Sequence, residues 1–68
     1  MVKLPSSTQI IKTLERKGFV FKSQKGSHVK YRKENHTVII PHPRKEIPMG
    51  TYKSIIRQSG LKEEDFHQ

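Results

Sequence analysis

The sequence predicts an α+β domain in which a three-stranded antiparallel sheet packs against two helices, in the order α-β-β-β-α. Three observations carry that expectation. Apolar residues recur at helical spacing near both ends, at Ile10, Ile11 and Leu14 and again at Tyr52, Ile55 and Ile56. Between them lie three short runs rich in aromatic and β-branched residues, separated by Lys25-Gly26 and Glu34-Asn35. Helix, strands and helix follow one another in blocks, which gives a layered antiparallel arrangement rather than alternating βα units.

The first helix is expected over about 7–17. Ser6 followed three residues later by Gln9 fits a capping box, in which each side chain satisfies one otherwise unpaired backbone N–H. Gly18 is its stop signal. Phe19-Val20-Phe21-Lys22-Ser23-Gln24 reads as the first strand, with Phe19 and Phe21 on one face.

His28 to Lys33 is the second strand, and its side chains alternate between faces with period two. Val29 and Tyr31 go one way; His28, Lys30 and Arg32 go the other. A two-residue turn at Glu34-Asn35, with Asn accepting a left-handed backbone, sets Tyr31 opposite Val38, Val29 opposite Ile40 and His28 opposite Pro41. A slip of one residue inverts every face in that scheme. Pro41-His42-Pro43 ends the third strand, because proline lacks the N–H a central strand needs. The second helix runs from about Met49 to Ser59 and stops at Gly60. Leu61 and Phe66 are expected to fold back onto the core through a short turn. The whole chain, 1–68, reads as one domain.

A chain of 68 residues hides only about 60% of the surface its unfolded form exposes, so the core is thin. It has no cysteine, which removes disulfides and thiolate metal sites and agrees with a reducing compartment, the cytoplasm. No apolar stretch approaches the roughly 18 residues of a membrane span. Met1-Val2-Lys3-Leu4-Pro5 lacks the apolar core of a signal peptide.

Fourteen Lys and Arg against six Asp and Glu give a net charge of +8 and a pI of about 10.1, a balance that favours polyanions. Residues 16–33 carry Arg16, Lys17, Lys22, Lys25, Lys30, Arg32 and Lys33 with no acid among them. The acids Glu63, Glu64 and Asp65 crowd the other end. The positive field is thus centred near His28, and nucleic acid is the expected partner; a solvated basic surface without a particular ligand is the plainer alternative.

The scattered acids offer no carboxylate cluster for a pair of Mg²⁺ ions, and His28, His36 and His42 lack zinc-ligand spacing, so no metal or other cofactor is expected. A basic protein can still cleave RNA without metal, because the substrate supplies its own nucleophile, the 2′-OH. An imidazole, with an ordinary pKa near 6.5, can take that proton or return one to the leaving oxygen. Lys25, Lys30 and Arg32 are placed to contact phosphate, and lysine there can stabilise its developing charge. Gly26 and Ser27 can add backbone and hydroxyl hydrogen bonds, though Gly26 also has a purely conformational reading as a turn residue. His42, next to the strand partner of His28, is a candidate second proton carrier or phosphate contact. Gly50-Thr51 reads as a helix start or an anion site. His36 and His67 are expected to be solvated. On the residues alone, His28 as an ordinary exposed histidine stands beside His28 as a catalytic one.

The order Gly18-Phe19, Gly26-Ser27-His28, Pro41-His42-Pro43-Arg44-Lys45-Glu46-Ile47, Gly50-Thr51, Ser54-Ile55 and Gly60-Leu61 resembles the HicA toxins of bacterial and archaeal toxin–antitoxin systems. The likeness runs from the first helix to Phe66. It implies an mRNA interferase, an endoribonuclease, with a double-stranded-RNA-binding-domain-like fold and a catalytic histidine at the position of His28. It also implies a HicB-like antitoxin that covers the active site, with operator DNA bound only through that partner. The alternatives are a non-catalytic double-stranded-RNA-binding module of the same fold and a structural protein that holds RNA by charge alone.

Overall fold

A computed structural model describes residues 3–67; Met1 and Val2, part of the N-terminal reading above, and Gln68 lie outside that range. The first helix, α1, is Ser7–Arg16. It starts at the expected capping box: Gln9 N–H donates to Ser6 Oγ at 3.2 Å and Ser6 N–H donates to Gln9 Oε1 at 2.9 Å. At the other end Gly18 N–H donates to the Glu15 carbonyl and Phe19 N–H to the Leu14 carbonyl. That paired pattern is a Schellman motif, and Gly18 at φ +96° supplies the left-handed residue it requires. Phe19 then turns inward to join Leu14 in the core.

Three strands follow, β1 (Val20–Lys25), β2 (His28–Lys33) and β3 (His36–Pro41), in the antiparallel order β1-β2-β3. The β2–β3 register is Tyr31 with Val38, Val29 with Ile40 and His28 with Pro41, as the two-residue turn predicts. The turn itself differs in one respect. Glu34, not Asn35, carries the positive φ of +55°, a conformation that costs a residue with a Cβ on the order of 1 kcal/mol. In β1 the register shifts between Phe21 and Ser23, so Lys22 is the extra residue of a β-bulge.

The second helix, α2, is Met49–Ser59 and packs on β3. Gly60 follows at φ +72°, and a Cβ there would come 2.7 Å from His36 Cε1. His36 also meets the Gln58 carbonyl through Nδ1 at 3.2 Å, so it seats the β2–β3 hairpin on the end of α2. A 3₁₀ turn, Glu63–Phe66, folds Phe66 back as expected, against Tyr52 edge to face at 6.0 Å between ring centres. Asp65 steadies that turn. Its carboxylate accepts the Lys62 N–H and lies 3.4 Å from Lys17 Nζ, and these hold its pKa below the usual value, the backbone bond first.

Both helices lie on one side of the sheet. The core between the layers holds Ile10, Leu14, Val29, Val38, Ile40 and Ile55, all nearly free of solvent. Burying each such side chain stabilises by roughly 1.5–3 kcal/mol before conformational entropy is counted. Ile47, from the loop after β3, is buried with them, and its N–H donates to the Pro5 carbonyl at 2.8 Å. Among the described residues α2 packs chiefly on β3, β1 is exposed along its length, and no element lies on the other side of the sheet.

Candidate nucleic-acid interface and active site

The uncovered sheet face is built by strand alternation. Because Val29 and Tyr31 point into the core, His28, Lys30 and Arg32 must point outward. Pairing adds their neighbours across the strands: Lys25 and Pro41 beside His28, Ser23 and Ile39 beside Lys30, Val20 and Thr37 beside Arg32. Arg32 donates to Thr37 Oγ1 at 2.9 Å, which holds the guanidinium on that face. All four of Lys25, His28, Lys30 and Arg32 are exposed. One strand face therefore carries an imidazole at one end and two cations behind it, with a third cation directly across.

The β1–β2 connection is the two-residue loop Gly26-Ser27. Gly26 takes φ +59° and Ser27 does not take a positive φ, the pattern of a type II′ hairpin turn with Gly at its first central position. No described atom beyond its chain neighbours lies within 4 Å of where a Gly26 Cβ would stand, so its backbone conformation, not crowding, calls for glycine. The loop is fixed from the β3 side, where His42 N–H donates to the Ser27 carbonyl at 2.8 Å. That bond keeps the Gly26-Ser27-His28 segment in line with the end of β3.

His42 itself turns the other way. Its Nδ1 lies 2.7 Å from the hydroxyl of Ser7, and its ring lines a groove with Thr8, Ile11, Val29 and Tyr31 on the helix side of the sheet. The expectation of His42 beside His28 meets a structure in which their backbones are close but their rings face opposite sides. Ser7 is almost wholly buried, and its N–H donates to the Arg44 carbonyl while its hydroxyl accepts from the Arg44 N–H, both at 2.9 Å. These bonds lock the turn after β3 to the start of α1. Sequence reasoning missed Ser7, since a serine at a helix start reads first as a cap; its pairing partner lies 35 residues away.

Tyr31 is tied down as well. Burial, and then the hydrogen bond to Glu15 Oε2 at 2.9 Å, pushes its pKa from 10.0 up to about 12. It stays a neutral donor at physiological pH and cannot serve as a base there. Burial raises the Tyr52 phenol too, with Glu63 adding to it. Gly50 and Thr51 lie in the first turn of α2, where Pro48 offers no side-chain cap. Among the described residues no hydrogen bond holds the His28 ring, and no three His, Asp or Glu side chains converge as a metal site would need.

An open antiparallel sheet with two helices on one face and cations on the other is the build of a small α+β domain suited to meeting a polyanion. The family model described as HicA toxin of bacterial toxin–antitoxin matches residues 7–61, most of the chain, and the protein belongs to the HicA toxin family. No curated protein matches the chain. Membership makes it the toxin of a toxin–antitoxin pair, with an antitoxin as partner. No helix among the described residues is long and apolar enough to cross a membrane.

Proposed function

We propose that this toxin is a metal-independent endoribonuclease that cuts mRNA with His28 as its proton-transfer residue and is neutralised by a HicB-like antitoxin in the cytoplasm. The observation that supports it is the register: His28, Lys30 and Arg32 share one uncovered face, with Lys25 across from His28. An RNA strand laid on that face brings phosphates to the cations and a ribose to the imidazole. Gly26 and Ser27, at the turn beside His28, add polar contacts. His42 contributes from behind the sheet, through the backbone bond that holds Ser27.

In the reaction the 2′-oxygen attacks the adjacent phosphorus, forming the O2′–P bond as the P–O5′ bond breaks. One proton leaves the 2′-OH and one reaches the departing 5′-oxygen. His28 carries at least one of these transfers, and positioned acid–base catalysis of this kind contributes on the order of 10²–10⁴ in rate. Lys25 and Lys30 stabilise the charge that gathers on the phosphoryl oxygens.

A second reading, a non-catalytic double-stranded-RNA-binding module, is favoured by the absence of any described side chain that orients the His28 ring. Product chemistry separates the two. Incubation of a defined RNA with the purified toxin in EDTA is expected to yield 2′,3′-cyclic phosphate and 5′-hydroxyl ends. Mg²⁺-dependent products with 5′-phosphates contradict the proposal, and tight binding without cleavage favours the module.

A further inference from the structure

We infer that the antitoxin grips the toxin at the edge of β1, inserting a large apolar side chain of an acidic segment into the groove between α1 and β1. The inference rests on membership of a toxin–antitoxin family, not on the ribonuclease reading.

The two edges of the sheet are treated differently. On β3, the Ile39 N–H donates to the Gln58 side-chain oxygen at 3.1 Å, so α2 closes that edge. All six residues of β1 are exposed. Val20 and Phe21, 53% and 54% exposed, present large apolar side chains on the two faces of this one strand. An unpaired strand edge with an exposed aromatic ring beside an apolar groove offers a protein partner both backbone groups and apolar area to cover. The bulge at Lys22 interrupts regular pairing along the edge, which favours side-chain insertion over simple addition of a strand.

The groove, about 350 Å³, sets Ile11 of α1 opposite Phe21 above a floor of Val29 and Tyr31. Its charges give it direction. Lys12, exposed in the middle of α1, lines the groove one helical turn before Glu15, so a cation and an anion stand side by side along its rim. The complementary occupant is an apolar side chain with a carboxylate placed against Lys12. RNA is a poor match, since Glu15 repels phosphate and the cations of the outer face lie across the sheet. A second copy of this chain is also a poor match. Its acidic stretch, Glu63 to Asp65, is anchored by Phe66 in its own core. From the groove, a partner passing around β1 meets Val20 and reaches the face of Lys25 and His28.

The test is the affinity of purified toxin variants for the purified cognate antitoxin, by calorimetry. Phe21→Ser is expected to weaken binding by about 30-fold or more, and Lys12→Glu by roughly fivefold, more at low salt. Circular dichroism checks that each variant folds. Lys12→Glu, at an exposed helix position, decides the matter if removing the Phe21 ring from the edge of Tyr31 unfolds the other. Folded variants that bind the antitoxin like wild type overturn the inference. So does a fall in RNA affinity with antitoxin affinity kept, or a toxin dimer in solution that Phe21→Ser abolishes. Loss of antitoxin binding beside a wild-type toxin that never cleaves RNA upholds this inference while the ribonuclease reading falls.

Discussion

The hydroxyl of Ser7 and Nδ1 of His42 stand 2.7 Å apart, joining the first residue of α1 to the turn after β3. The same hydroxyl accepts the Arg44 N–H and lies 3.2 Å from the Arg44 carbonyl. Ser7→Ala leaves a part-buried N–H and a ring nitrogen without their partner, which costs about 1–3 kcal/mol. For a domain of this size the expected fall in Tm is on the order of 10 °C. Thermal unfolding followed by circular dichroism checks it, and an unchanged Tm contradicts the stitching role. Because His42 N–H holds Ser27, the variant is also expected to lose cleavage more than RNA affinity.

His36 and Gly60 make the second such tie. Gly60→Ala meets both a left-handed backbone and the His36 ring, and is expected to destabilise by roughly 1–3 kcal/mol. In the background of His36→Ala the same change should cost less, because the steric part is gone while the backbone part stays. Urea denaturation of the four proteins measures the coupling. Additive costs would show that the ring and the glycine do not compete for space.

Tyr31 gives a pH signature. Its folded pKa, about 12, lies above the unfolded value of 10.0, so the neutral phenol's contribution is full below pH 10 and is lost as pH rises toward 12. Wild-type stability should therefore fall across that window more steeply than that of Tyr31→Phe. The difference between the two urea-denaturation series isolates this tyrosine from every group the two proteins share. At pH 7 the variant is expected to lose about 1 kcal/mol for the bond to Glu15. Parallel curves would contradict the assignment.

Lys30 and Arg32 are expected to act on RNA through charge. Replacing either by Gln should weaken binding to single-stranded RNA and reduce the slope of log K against log salt by about 0.7 for each phosphate the variant no longer neutralises. Fluorescence anisotropy over a salt series measures it. A slope unchanged in both variants would place the RNA elsewhere.

Much of this architecture was legible because local signals agreed. Ser6 and Gln9 announced the start of α1, Gly18 and Gly60 the ends of the helices, and the spacing of Val29, Tyr31, Val38 and Ile40 set the hairpin register. That register also put His28 on the outer face. What escaped was non-local. Ile47 reads as one apolar residue in a proline-rich loop, and only the fold brings it against Pro5. The bulge at Lys22 has no sequence mark, and the pattern that puts Phe19 and Phe21 on one face cannot show that Phe19 is buried while Phe21, on the exposed edge strand, is not. The Glu34-Asn35 turn was found, but the left-handed residue fell on Glu34, where the strand twist and not the side chain decides.

The central claim is that His28 moves a proton during RNA cleavage. The most direct measurement is the single-turnover cleavage rate of a defined RNA by wild type and His28→Ala at saturating protein, with RNA affinity and Tm measured in parallel. The account predicts a fall of about 10²-fold or more in rate, with affinity and Tm close to wild type. A His28→Ala protein that folds, binds and cuts at the wild-type rate would contradict it.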